Sequence, residues 1–184
     1  MTIYFTSDLH LCHDKDFLYE PRGFDNIVDH DIAIINNINN RVKEDDELYI
    51  LGDLMLNDTD KGIEEFNNIK CKNIHVILGN HDTDNKIEIY KTRLPNVISI
   101  AYADRIKFGK YHFYLSHFRT DTTNEDKHLS EQLLNLHGHI HTKEKFYNNI
   151  YYNYNVVLDA NNNMPISIEE ILEAIRQKKS LMQP

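Results

Sequence analysis

A chain of 184 residues with 41% hydrophobic and 27% charged residues can bury its own core, which excludes a disordered segment and removes the need for disulfides or repeats. Its 20 Lys and Arg against 29 Asp and Glu leave a net charge of −9, which argues against tight binding to a duplex phosphate backbone. No apolar run approaches the roughly 20 residues of a membrane span, Met1 to Ser7 lacks the basic start of a signal peptide, and Cys12 and Cys71 make no zinc knuckle, so a single domain over 1–184, cytoplasmic and free of membrane, is expected.

The elements follow in chain order. Thr2 to Ser7 alternates like a strand. Asn26 to Val42 places Ile27, Ile34, Ile35, Ile38 and Val42 on one helical face. Glu47 to Leu51 is a short apolar strand ending at Gly52, Lys61 to Ile69 a helix, and Ile74 to Leu78 a buried strand ending at Gly79. A short helix is expected at Asp84 to Tyr90. Strands follow at Ile98 to Phe108, Tyr111 to Ser116, Leu133 to Leu136 and Tyr151 to Leu158, the first two joined by a hairpin turn at Gly109. Tyr147, Tyr151, Tyr152 and Tyr154 are read as packing residues rather than a contact surface. Ser167, with Glu170 three residues on, forms a capping box that opens a final helix. The early half reads βαβαβ and predicts parallel pairing; the close spacing of the late strands predicts antiparallel pairing. The expected fold is α/β, with two mixed sheets packed face to face and flanked by helices.

Polar groups gather where strands end. Asp8 and His10 follow the first strand, Asp53 the second, and Asn80, His81 and Asp82 the third. His117 follows Ser116, and His139 and His141 follow Gly138. Strand carboxyl ends line the ligand crevice of open α/β sheets, so these groups should converge. Any one Asp would serve equally as a turn or cap residue, and any one His as core or surface. Their conjunction at five strand ends points to metal. An extended Asp8-x-His10 would put both side chains on one side, and His139-x-His141 likewise. Gly52 and Gly79 would let the chain turn out of its strands. Two carboxylates, a carboxamide and four imidazoles suit Mn, Fe or Zn better than the oxygen-seeking Ca and Mg, and they outnumber the needs of one ion.

In order, Asp8-Leu9-His10, Gly52-Asp53, Gly79-Asn80-His81-Asp82, His117 and Gly138-His139-Ile140-His141 resemble the motif set of the calcineurin-like metallophosphoesterases, in particular their compact bacterial and phage members. The likeness runs through Asn155 to Asp159 and Pro165 to Glu170, so it covers roughly the whole chain; Arg119 stands where the family often has Pro. The resemblance implies two divalent ions, with Mn favoured and Fe, Zn, Ni and Mg as alternatives. Asp8, His10 and His141 would hold one, Asn80, His117 and His139 the other, and Asp53 would bridge them. His81, oriented by Asp82, would act on the leaving group, with His13 and Arg22 on the other phosphate oxygens. Cys12 beside them is read as packing, not as a nucleophile.

The implied reaction is hydrolysis of a small phosphorylated molecule by activated water, with a phosphodiester or nucleotide favoured over a phosphomonoester because so short a chain leaves the cleft open. A nuclease acting on single-stranded nucleic acid is the alternative, disfavoured by the charge and by the lack of a basic stripe interleaved with aromatics. A non-catalytic scaffold of the same fold is a third reading, at odds with the complete ligand set. Oligomeric state is left open.

Overall fold

Alternation along the early strands sends neighbouring side chains to opposite faces, and here both faces are apolar. Leu48 and Ile50 enter one buried cluster, while Tyr49 and Leu51 enter another. The computed structural model describes residues 1–122, 128 and 131–182. Strands β1 (Ile3–Thr6), β2 (Glu47–Leu51), β3 (Asn73–Ile77) and β4 (Val97–Ala101) pair in parallel in the order β4-β3-β2-β1. Helices α2 (Ile27–Arg41), α3 (Thr59–Phe66) and α4 (Asp84–Arg93) make the crossovers that parallel pairing requires. Their Ile34, Ile38, Phe66 and Tyr90 cover one face of the sheet. Ile38 and Leu48 are fully buried, so truncating either to Ala should cost about 2–5 kcal/mol. Capping starts the helices: Asn26 Oδ1 accepts from Asp29 N at 2.9 Å and Asp58 Oδ1 from Lys61 N at 3.0 Å.

The second sheet runs β5 (Ala103–Phe108), β6 (Tyr111–Ser116), β7 (Leu133–His137), β8 (Asn153–Asn155). Phe113, Leu115, Leu134 and Leu136 meet Phe5, Leu51 and Ile77 of the first sheet, joined by Ile171 and Ile175 of α5 (Ile168–Met182). A two-residue strand β9 (Ile166–Ser167) adds antiparallel to β1. The capping box forms as expected, with Ser167 N on Glu170 Oε2 at 2.9 Å and Glu170 N on Ser167 Oγ at 3.3 Å. Tyr151, Tyr152 and Tyr154 are buried, in line with packing. No helix among the described residues is long and apolar enough to cross a membrane.

The structure corrects four expectations. Within the second sheet, β5 and β6 pair antiparallel, but β6, β7 and β8 run parallel. The 117–132 segment is long enough to return the chain to the start of the sheet, so close spacing misled. Ile98 to Phe108 is two strands, since β4 belongs to the first sheet and β5 to the second, with exposed Tyr102 at the switch. The late strand shrinks to Asn153–Asn155, followed by a 3₁₀ turn at Leu158–Ala160. A short helix α1 (Asp16–Tyr19) stands between the first strand and Asn26, where no element was expected.

Candidate metal centre

Parallel pairing brings the strand ends together. Ser116 pairs with His137, so His117 and Gly138 leave the second sheet side by side, with Gly138 N on His117 O at 3.0 Å. The chain after β1 zips onto the chain after β2: Asp8 N donates to Gly52 O at 2.9 Å and His10 N to Asp53 O at 3.0 Å. Neither segment is extended. Asp8 (φ 58°), His10 (φ 50°) and Asp53 (φ 56°) are left-handed, as is His139 (φ 66°). That replaces the extended alternation expected for Asp8-x-His10 and costs about 1–2 kcal/mol per residue, a strain that the cross-strand amides hold in place. The glycines divide the work. Gly52 makes a turn at φ 98°. A β-carbon at Gly79 would strike the Asp53 carboxylate, and one at Gly138 would strike Ser7 and Asp8, so the turn expected at Gly79 is a close approach instead.

The donor atoms face one another. His10 Nε2 and His141 Nε2 are 3.3 Å apart, and Asp8 Oδ1 lies 3.6 Å from the first and 3.3 Å from the second. Asp53 Oδ2 sits between two histidines, 3.8 Å from His10 Nε2 and 3.5 Å from His117 Nε2. His117 Nδ1 lies 2.8 Å from the Leu51 carbonyl and its Nε2 faces the Asn80 Oδ1 acceptor at 2.9 Å; in a neutral ring whose proton goes to the carbonyl, Nε2 is the lone pair. The ring of His139 packs on His117 with centroids 5.0 Å apart, whereas the ring of His141 packs on His10 at 5.1 Å. The two imidazoles of His139-x-His141 thus part to different sides instead of gripping one point.

Lone pairs aimed at lone pairs call for a cation. Asp8 Oδ1 is buried with no hydrogen-bond partner, while its Oδ2 takes His139 N at 2.9 Å and the Ser7 hydroxyl. Asp8, His10 and His141 form one possible ligand group, and Asp8, Asp53 and His117 another, with their ligand atoms within 4.8 Å of one another. Burial would raise the Asp8 carboxyl, but His10, His141 and His117 hold it well below the usual carboxylate range. Burial would lower His141, but Asp159 and Asp8 hold it up at about 9. The donor set fits divalent metal.

A family model, the calcineurin-like phosphoesterase superfamily domain, matches residues 1–156. The chain belongs to this superfamily. An uncharacterised protein of Methanocaldococcus jannaschii is 30% identical over 184 residues, 96% of this chain and 93% of that one. The gene 66 protein of Mycobacterium phage L5 is 30% identical over 161 residues, 76% of this chain and 77% of that one. The crystal structure of a protein of unknown function from Aquifex aeolicus shares the fold at a TM-score of 0.69 and 24% identity, over 94% of this chain and 98% of that one.

This calcineurin-like phosphoesterase places the remaining candidates as follows. His81 stands at the cleft wall, its ring centroid 5.7 Å from that of His10 and its N–H on Asp53 Oδ1 at 2.9 Å. Asp82 does not orient it. The Asp82 carboxylate accepts instead from Gly79 N (2.9 Å), Asp53 N (2.8 Å), Leu54 N (3.3 Å) and the Tyr90 hydroxyl (2.9 Å), so it braces the Asp53 loop. His13 lines the cleft, and burial together with His10 and His81 pushes it down to about 4, so it is neutral at pH 7. Arg22 does not reach the cleft. Its side chain is fully buried and its donors are taken by Asp159, His30 and the Asp8 carbonyl, so it cannot meet a phosphate. Burial pushes the Cys12 thiol up to about 12, in keeping with packing. The sequence reading missed Ser7, Asp159 and the His30–Asp31 pair. Ser7, closing the Thr2 to Ser7 strand, and Asp159, directly after the Val156-Val157-Leu158 run, carried the strand-end signal that marked the others, and the His30–Asp31 pair did not.

Proposed function

We propose that this phosphoesterase is a two-metal phosphodiesterase, with manganese the favoured metal. The observation that carries this reading is Asp53 Oδ2 standing between His10 and His117, each at the head of its own donor group. Asp8, His10 and His141 would hold one ion, Asn80, His117 and His139 the second, and Asp53 both. Two bound divalent ions would neutralise phosphate charge and lower the pKa of water toward about 7.

The chain's own residues do the rest. A cleft of about 520 Å³ lies over the cluster, and Phe17, Leu18 and Pro21 form an apolar wall in its lining, with the Phe17 ring edge-on to His13 at 5.8 Å. That wall suits the organic group of an ester while the phosphate meets the polar side. The leaving oxygen needs a proton, and the ring nitrogens of His81 make no hydrogen bond among the described residues, which leaves them able to deliver one. His13, being neutral, can donate one N–H to a phosphate oxygen. A cytosolic setting goes with this reading, because both cysteines are free and buried.

The test is a substrate panel on chelator-stripped protein reloaded with Mn²⁺: a chromogenic diester, a monoester, a cyclic nucleotide and a single-stranded oligonucleotide. Metal-dependent turnover of the diesters is expected. Preference for the oligonucleotide would redirect the reading to a nuclease, and a fully loaded protein inert toward every ester would end it.

A further inference from the structure

Behind the candidate centre runs a buried polar chain that the hydrolysis just described does not use. Arg22 grips the Asp159 carboxylate with two nitrogens, Nη2 on Oδ2 at 2.8 Å and Nε on Oδ1 at 3.3 Å. The same Nη2 donates to the Asp8 carbonyl at 3.0 Å, and Nη1 donates to His30 Nε2, also at 3.0 Å. A guanidinium has no acceptor, so His30 Nε2 must accept. The His30 proton therefore sits on Nδ1 and goes to Asp31 Oδ1 at 2.8 Å, while Asp31 Oδ2 takes the Cys12 N–H at 2.8 Å. Every member is spoken for, and Asp159 is left with one further neighbour: its Oδ2 lies 3.1 Å from His141 Nδ1.

That contact decides what His141 can do. With a carboxylate on Nδ1, the proton there is fixed, so Nε2 is the nitrogen that gives up its proton and offers a lone pair to a cation. Nε2 is the atom that faces Asp8 Oδ1 and His10 Nε2. The ring needs such an anchor more than its counterpart does. His117 is 1% exposed and held by the Leu51 carbonyl, whereas the His141 side chain is 36% exposed on a loop. We infer that Asp159, braced by Arg22 and the His30–Asp31 pair, is a positioning residue that sets the tautomer and orientation of His141 for cation binding. This rests on the reading of His141 as a metal ligand. It also gives Arg22 its purpose: one guanidinium ties the left-handed Asp8 backbone to the carboxylate that holds the facing histidine.

The test is a calorimetric titration of Mn²⁺ into chelator-stripped wild type, Asp159→Asn, His141→Ala and the double variant, with thermal melts of the metal-free proteins alongside. Asp159→Ala would strand the buried Arg22 charge, so Asn, which is isosteric, is the deciding variant. Wild type should bind two ions. Asp159→Asn should weaken one of them about 10–100-fold and leave the other close to wild type. In the His141→Ala background the same change should add nothing. Unchanged affinity in Asp159→Asn, or an equal loss in both backgrounds, would overturn the assignment. A wild type that binds no Mn²⁺ would instead overturn the metal reading beneath it.

Discussion

The two sheets feed the centre by different means. From the first sheet, Asp8, His10 and Asp53 arrive buried, in left-handed backbone conformations, cross-linked to one another through main-chain amides. From the second, His117 arrives buried, but His139 and His141 stand on an exposed loop. One half is held through main-chain amides and the other through its imidazole rings, His117 on the Leu51 carbonyl and His141 on Asp159. A centre that must admit an ester needs one open side, and here the second sheet supplies it.

The largest effect that would break this comparison is at the shared point between the halves. Asp53→Asn should lose both ions and turnover together, read by metal content after dialysis and by diester hydrolysis. Retention of two ions would show that the halves do not share Asp53. Next comes His81→Asn, which keeps the main-chain N–H on Asp53 Oδ1 and removes only the ring: metal content should hold while kcat falls about 10²–10⁴-fold. Loss of metal there would make His81 a ligand.

Tyr90→Phe sharpens the account of the locked half. It removes a buried hydroxyl from the Asp82 carboxylate and should cost about 1.5–3 kcal/mol in denaturant melts, with kcat far less affected than in His81→Asn. Equal losses of kcat would restore Asp82 to a role on His81. The smallest effect is with pH. Burial pushes His137 down to about 4, so it is neutral in the native state at pH 7, and burial moves His30 in the same direction. In the unfolded chain His137 titrates near 6.5, so between 6.5 and about 4 the unfolded state binds a proton the native state refuses. In chelated protein the His137 contribution should be full above pH 6.5 and fade as pH drops toward 4, with a shallower fall in His137→Gln, whereas His141 runs the other way, its contribution full below pH 6.5 and lost as pH climbs through about 9. An equal fall between pH 6.5 and 4 in wild type and His137→Gln would show that His137 is charged when folded.

The candidate donor set was legible because its members are local. Each motif sits within a few residues of a strand end, and strand ends can be read from alternation and glycines. The capping box at Ser167 was legible for the same reason. Arg22 was not. The family resemblance implied a phosphate contact for it, yet its main partner, Asp159, lies 137 residues away, and nothing local announces a buried ion pair. Asp82 misled in a similar way, because adjacency to His81 says nothing about where its carboxylate points.

Residue order alone determined the family, the α/β character of the chain and the chemical types of the donors, because periodicity and short motifs are properties of neighbouring residues. Only the tertiary structure decided that β6, β7 and β8 run parallel, and hence that His117 and His139 emerge at the same end of the sheet. It alone decided, too, which histidine nitrogens face inward. Both depend on pairing between distant segments and on hydrogen bonds that settle which nitrogen carries the proton, and no stretch of local sequence contains either.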